Sequence, residues 1–144
     1  MNHIPSIRSV MTAFPYFVEV DDSLVRARNL MVEHEIRHLP VQHQGKLVGV
    51  LTDRDLKRAL DPALGLPPKQ ELFVREVFIR EAYVVDGGEP LDTVLDYMAS
   101  NHIGSVLVTK GTKLAGILTA TDACRLLCEH LRAFGPQGDG EEVA

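Results

Sequence analysis

The sequence predicts an α/β fold made of two similar β-α-β-β-α units. The first observation is an ungapped internal repeat: when residues 10–60 are laid over residues 77–127, 15 of 51 positions are identical. The second is that strand and helix patterns follow in the same order in both copies. Self-similarity at a fixed spacing is the signature of a repeat architecture. Two such units packed together would enclose a pseudo-symmetric cleft.

The first unit is predicted in residues 7–61 and contains every element of the repeat. Asp21, Asp22 and Ser23 are suited to cap a helix, and apolar residues then recur at helical spacing from Leu24. Two apolar runs around a turn at 43–45 predict a pair of strands. The predicted elements are a strand at 17–20, a helix from 24, strands at 39–41 and 47–51, and a helix at 52–60.

The second unit is predicted in residues 74–132 with the same order. Pro90 is suited to the first turn of a helix whose apolar residues lie on one face. A proline-rich connector at 62–73 separates the units, and a Gly-rich acidic tail at 133–144 is predicted to be disordered. The predicted elements are a strand at 84–85, a helix from 91, strands at 105–108 and 114–118, and a helix at 119–131.

The overall charge and hydropathy restrict the class of protein. The formal net charge is −5, which argues against nucleic-acid and membrane-surface binding because both need a basic face. No apolar run approaches the roughly 20 residues that span a bilayer. The first residues have no basic region followed by an apolar stretch, so no signal peptide is expected. We therefore expect a cytoplasmic protein with reduced thiols.

One motif occurs at equivalent places in both copies. Residues 49–55 and 116–122 each read glycine, two apolar residues, then Thr-x-x-Asp. One interpretation is a helix capping box, in which the hydroxyl accepts an N–H and the acid reaches back. The other is a ligand site, because a helix N-terminus attracts anions, a glycine lets a ligand approach, and a carboxylate can bind ribose hydroxyls. The two interpretations are compatible.

The repeat order, residues 37–41 and both Thr-x-x-Asp motifs resemble a tandem pair of cystathionine-β-synthase (CBS) domains, the Bateman module. The resemblance covers roughly residues 7–131. It implies two units packed through their sheets about a pseudo-twofold axis. It also implies two clefts that bind adenosine ligands such as AMP, ADP, ATP or S-adenosylmethionine, with Mg²⁺ as a possible companion.

The resemblance also implies which residues contact the ligand. Asp55 and Asp122 would each bind a ribose, and Arg37 and His38 would place cations against phosphate. Leu107 would join the residues that wall the base. The full implied set comprises Thr12, Ala13, Phe14, Pro15, Arg37, His38, Leu39, Pro40, Thr52, Arg54, Asp55, Tyr83, Val84, Ser105, Val106, Thr119, Thr121 and Asp122.

The two copies differ where phosphate would bind. Arg37 and His38 are replaced by Gly104 and Ser105 in the second copy, and residues 53–54 change from Asp-Arg to Ala-Thr. The second copy therefore lacks the guanidinium and imidazole that would balance phosphate charge. We expect two inequivalent sites, of which one takes a phosphorylated ligand.

Two further interpretations concern metal binding and assembly. Cys124, Cys128 and His130 do not share one helix face, so no metal site is predicted, and the cysteines are expected to pack as small apolar residues. The apolar residues of the two final helices predict a homodimer interface through both helices, with an intramolecular core as the alternative. These residues are Leu56, Ala59, Leu60, Leu126, Leu127 and Leu131.

The predicted function is a non-catalytic regulatory module that binds an adenine nucleotide and signals to a separate, unidentified protein. No nucleophile with its base and orienting group is recognisable, although His38, Asp53 and Asp55 are candidate acid–base groups. An enzyme and a ligand-free dimerisation module remain the alternatives.

Overall fold

The computed structural model describes residues 3–61, 63 and 72–136 of the chain. The predicted connector and tail therefore fall largely outside the described residues. The elements are β1 (Thr12–Ala13), β2 (Val18–Glu19), α1 (Leu24–His34), β3 (His38–His43), β4 (Lys46–Thr52), α2 (Asp53–Ala59), β5 (Val84–Asp86), α3 (Leu91–Ser100), β6 (Ser105–Lys110), β7 (Lys113–Thr119) and α4 (Ala120–Arg132).

The strands form two sheets with equivalent internal arrangements. One sheet has the order β2-β3-β4 and the other the order β1-β7-β6-β5. In each unit the first strand pairs parallel with the second, and the last two form an antiparallel hairpin. Each hairpin has a register shift at the same repeat position, between Val41 and Gln42 and between Val108 and Thr109. The predicted α/β fold with two β-α-β-β-α repeats is confirmed.

The segment that leads each unit packs on the other unit. β1 pairs antiparallel with β7, and Ile7 is fully buried in the core of the second unit. In return, Val74 is fully buried in the core of the first unit, and Ile79 forms a β-bridge with Val50 of β4. We call residues 6–13 and 72–79 the exchanged segments. The exchange ties the two halves together, so neither half has a complete core without the other.

The exchanged segments explain the glycine of each motif. A methyl group built at Gly49 would overlap the carbonyl oxygen of Ile79, and one built at Gly116 would overlap the sulfur of Met11. Both neighbours belong to the exchanged segments. The expectation that these glycines admit a ligand is therefore wrong: they admit a neighbouring stretch of the chain.

Apolar side chains form one core in each half and a third cluster between the sheets. The first core lies between β2-β3-β4 and helices α1 and α2, and the second contains residues of β6, β7 and α3. Between the sheets lie Val50, Leu107 and Ile117. Because strand side chains alternate between faces, each hairpin supplies both its own core and the inter-sheet contact.

The two final helices differ in what covers them. Leu56 and Ala59 of α2 are buried in the first core, so they are not available for a dimer interface. In α4, Leu127 and Leu131 are 57% and 55% exposed. The predicted dimer interface is therefore wrong for α2, whose Leu56 and Ala59 pack in the core, and of these two helices only α4 keeps an uncovered apolar face.

Some boundaries and environments also differ from expectation. Pro90 is the N-cap of α3 rather than its first helical residue. Leu72 is buried and its carbonyl accepts the Leu24 N–H, so the end of the predicted connector belongs to an exchanged segment. Cys124 and Cys128 are exposed, and the expectation that they pack is wrong. Across the described ranges, no helix combines the length and apolar character that crossing a membrane requires.

Candidate functional site

Each Thr-x-x-Asp motif caps the helix that it opens. The Thr52 hydroxyl accepts the Asp55 N–H at 3.2 Å and donates to Asp55 Oδ2 at 2.7 Å. At α4, the Thr119 hydroxyl accepts the Asp122 N–H at 3.1 Å, and Asp122 Oδ2 accepts the Thr119 N–H at 2.9 Å. The capping-box prediction is thus confirmed in full at α4. Both carboxylates are partly exposed, so they retain oxygen lone pairs for a ligand.

His38 reaches from the first half to the second. A methyl group built at Gly104 would lie 3.1 Å from His38 Nε2. Burial, with Arg37 next, lowers the pKa of His38 below its usual 6.5, against the opposing effects of Asp122 and Asp53. His38 is therefore mainly neutral at pH 7. It offers a hydrogen bond between the two helix N-termini, rather than the positive charge that the sequence suggested.

The segment from Thr12 to Pro15 lies beside the strand that leads to Asp122. Thr12 pairs with Ile117, and the Phe14 N–H donates to the Ala115 carbonyl at 3.2 Å. Phe14 is 93% exposed and has a φ of +50°, a conformation that is uncommon for a non-glycine residue. The fixed backbone holds an aromatic ring in solvent where the chain crosses between the halves.

Tyr83 and Val84 occupy the corresponding crossing in the second copy. The backbone carbonyl of Tyr83 accepts the Leu107 N–H at 2.9 Å. The Tyr83 ring stacks on the Tyr97 ring, with 4.2 Å between the ring centroids. Burial, then Glu89 and Tyr97, raises the pKa of Tyr83. The phenol therefore stays protonated at neutral pH, and the partly exposed Val84 offers apolar surface beside it.

Other implied contact residues divide between the site and the cores. Leu39 and Val106 are 0% exposed and belong to the two cores, which leaves their side chains out of the candidate contact surface. Leu107 lies in the inter-sheet cluster. The residues at the strand starts and helix openings remain in place around the junction: Pro40 and Ser105 are buried there, and Arg54 and Thr121 are exposed.

A cavity of about 260 Å³ adjoins the candidate site in the first half. Arg37 and Asp53 line it together with the end of α1, including Met31, Glu35 and Ile36. Sequence reasoning did not identify this cavity. The available signal was that Arg37 and Asp53, two of the three charged residues that line the cavity, become Gly104 and Ala120 in the second copy.

The described residues offer no preformed metal centre. No group of three or more His, Cys, Asp or Glu side chains within 3–61, 63 and 72–136 could hold a metal ion. The groups available between the halves therefore act by hydrogen bonding and charge. They are the two helix-capping carboxylates, the Arg37 guanidinium and a neutral imidazole.

Two α/β repeats with exchanged leading segments and a Thr-Asp cap in each half define a tandem-repeat module with two related inter-repeat surfaces. The family model described as "CBS domain" matches residues 7–62 and 74–129. The chain belongs to the CBS domain family.

Relatives of known name and structure share this module. Hypoxic response protein 1 of Mycobacterium tuberculosis is 33% identical over 125 residues, covering 85% of each chain. L-aspartate semialdehyde sulfurtransferase of Methanocaldococcus jannaschii is 28% identical over 85% of this chain, which spans only 23% of that enzyme. The CBS domain pair of protein MJ0100, solved with 5′-methylthioadenosine and S-adenosyl-L-methionine, superposes with a TM-score of 0.76 at 27% identity, covering 89% and 99% of the two chains.

Proposed function

We propose that this chain is a non-catalytic regulatory module of the cytoplasm that binds an adenosine-containing ligand of the AMP, ADP or ATP class between its two halves. The observation that carries the proposal is the pair of Thr-Asp caps, whose partly exposed carboxylates are fixed by the helices that they open. A fixed carboxylate can accept both hydroxyls of a ribose. Ribose binding and capping account for Asp55 and Asp122, so no catalytic step is proposed.

The two sites are proposed to be inequivalent, with the stronger one at Asp122. The first turn of α4 has Asp122 as its one acidic residue, whereas that of α2 has both Asp53 and Asp55, so the N-terminus of α4 repels a phosphate less. His38 lies near Asp122 and can donate a neutral hydrogen bond, and Thr12 to Phe14 offer backbone and an exposed ring for adenine. Arg37 would supply the positive charge for phosphate, with Mg²⁺ as a possible companion.

A second candidate ligand is S-adenosylmethionine, a sulfonium, or the thioether 5′-methylthioadenosine. The ligands of the MJ0100 domain pair favour it, because both carry adenosine without a phosphate. Such a ligand would use the ribose-binding carboxylate but would not need Arg37. An Arg37→Ala variant separates the two candidates: it should weaken AMP binding and leave 5′-methylthioadenosine binding unchanged.

Ligand binding is proposed to change the angle between the halves or the assembly state, and a separate protein would detect this change. A ligand can shift that equilibrium only by its different affinities for the two states. The exchanged segments would transmit such a change, because each half is completed by chain from the other.

The proposed assembly is a homodimer formed through α4. On α4, the partly buried Leu126 packs on the second core, whereas Leu127 and Leu131 are exposed and form the proposed contact face. Leu131→Glu should convert a dimer into a monomer in sedimentation velocity while the circular dichroism spectrum of the folded chain stays unchanged, because Leu131 contacts solvent in the single chain. A wild-type chain that sediments as a monomer would contradict this assembly.

Thermal unfolding with a ligand panel tests the proposed function. The panel contains AMP, ADP, ATP, 5′-methylthioadenosine and S-adenosylmethionine, with GTP as the non-adenosine control. A ligand at 100 times its dissociation constant adds about 2.7 kcal/mol, which raises the unfolding temperature of a chain of this size by roughly 5–10 °C. We expect at least one adenosine ligand to do so.

The panel also separates the proposed function from its alternative. A flat response to every adenosine ligand at millimolar concentration would exclude sensing of this class and favour a ligand-free dimerisation module. An equal shift with GTP would show that the base is not recognised.

A further inference from the structure

A second groove lies on the first half, away from the junction between the halves. Its volume is about 200 Å³. Its His43 lies at the hairpin end of β3, five residues of extended chain or about 17 Å from His38, which lies at the candidate nucleotide site. The lining residues are Val20, His43, Val48, Arg75, Phe78 and Arg80.

The groove combines an apolar floor with a cationic rim. Val20, Val48 and Phe78 pack against the first core and form the floor. The Arg80 guanidinium lies over the Phe78 ring, 4.8 Å from its centroid, and forms no ion pair with any residue in the described ranges. Stacking of this kind fixes the guanidinium plane while its N–H edges stay available. A chain of net charge −5 has no general attraction for anions. Binding of an anion in this groove would therefore depend on the local cation and the apolar surface beside it.

The second half differs from the first at the positions that line the groove. Val20 corresponds to Gly87, and Arg75 to Arg8. A methyl group built at Gly87 would lie 2.8 Å from Arg8 Nε, so Arg8 packs down onto the glycine and fills this place. In the first half, Val20 carries a side chain where the second half has the glycine, so Arg75 cannot pack down as Arg8 does. Arg75 instead bonds to Asp21 at 2.6 Å and stands at the rim.

The remaining differences between the halves follow the same pattern. Arg80 corresponds to Ala13, Val48 to Ala115 and Phe78 to Met11. His43 corresponds to Lys110, so both halves carry two arginine or lysine side chains at these positions. The first half differs in its larger apolar walls and in placing one cation, Arg80, over an aromatic ring. A structural role shared by both repeats does not explain these residues.

We propose that this groove binds a small organic carboxylate with a compact apolar body. The carboxylate would pair with the Arg80 guanidinium and accept from His43 or Arg75, and the apolar body would lie on Val20, Val48 and Phe78. Because the floor is apolar, a bare inorganic anion would forgo most of the contact. The volume suits a single ring or short chain rather than a nucleotide, since sites for larger ligands are about 300–1,000 Å³.

NMR titration of the labelled protein with benzoate tests this proposal. Benzyl alcohol and inorganic phosphate at matched ionic strength separate the contributions of the charge and the ring. We expect saturable shifts at Val20, Val48 and Arg80, with benzoate binding at least about tenfold more tightly than either comparator, since hydrogen bonds to charged groups contribute about that factor or more.

Matched variants decide whether the groove is responsible. Arg80→Ala should weaken benzoate binding about tenfold, whereas Arg28→Ala, which removes an exposed arginine of α1, should not. Val48→Ala copies the second half and should also weaken binding. Equal effects of Arg80→Ala and Arg28→Ala, equal binding of phosphate, or shifts spread over the surface would each overturn the proposal. Asp122→Asn should leave benzoate binding unchanged, which keeps this test independent of nucleotide binding.

Discussion

Replacing Gly49 with alanine should lower the free energy of unfolding by about 3 kcal/mol, the upper part of the usual range for overpacking. The added methyl group would overlap the Ile79 carbonyl oxygen and lie 2.7 Å from the Phe78 ring. Ile79 cannot retreat easily, because it exchanges two backbone hydrogen bonds with Val50, at 2.8 and 3.0 Å. Relief requires the exchanged segment to separate from β4. Urea unfolding followed by circular dichroism measures the loss.

Two other glycines provide graded controls for this prediction. At Gly116 the obstructing group is the flexible Met11 side chain, so alanine should cost less than at Gly49. At Gly88 the nearest atom is an Asp86 carboxylate oxygen at 3.2 Å, and alanine there should cost under about 1 kcal/mol. If Gly49→Ala were as stable as Gly88→Ala, the exchanged segment would not pack as described.

Replacing Asp122 with asparagine should weaken binding of the adenosine ligand by about 10- to 100-fold, the range for hydrogen bonds to a charged group. The asparagine oxygen can still accept the Thr119 N–H, so the α4 cap and the unfolding temperature should change little. The loss therefore reports on the ribose contact. Calorimetric titration of the ligand selected by the panel measures it.

Asp55→Asn and Asp92→Asn are the matched variants. Asp55 is expected to matter less, because Asp53 adds a second negative charge in the first turn of α2 and repels a phosphate there. Asp92 is exposed in the first turn of α3, so its change removes the same charge at a helix start outside the candidate site. Equal losses in Asp55→Asn and Asp122→Asn would contradict inequivalent sites, and an equal loss in Asp92→Asn would show only a general charge effect.

Local patterns were sufficient to predict the repeat and its elements. The spacing of Leu24, Ala27 and Met31 defines a buried helix face, and these residues are indeed buried. The turn residues between the apolar runs place both hairpins correctly. These features depend on contacts close in sequence, which periodicity records directly.

The exchange of leading segments could not be predicted in this way. Ile7 and Val74 are ordinary apolar residues at equivalent repeat positions, and either would fit the core of its own unit by pattern alone. Which core they enter depends on the path of the chain between units. The same limit explains the error at Gly49 and Gly116, whose close neighbours are distant in sequence.

The sequence predicted the helix caps of the candidate site, but it did not predict the protonation of His38. Thr52 and Thr119 cap their helices as the motif predicts. The pKa of His38, however, depends on burial and on Asp122, which is in the other repeat. Leu39 and Val106 were misplaced for a simpler reason: adjacent strand residues face opposite sides, and the sequence did not show which side was the junction.

A crystal structure with the ligand that gives the largest thermal shift tests the central claim most directly. The account predicts the adenosine between the two halves, with its ribose hydroxyls donating to the Asp122 carboxylate and its base beside residues 12–14. A ligand whose ribose contacts neither Asp122 nor Asp55, or one bound on a single half, would contradict it.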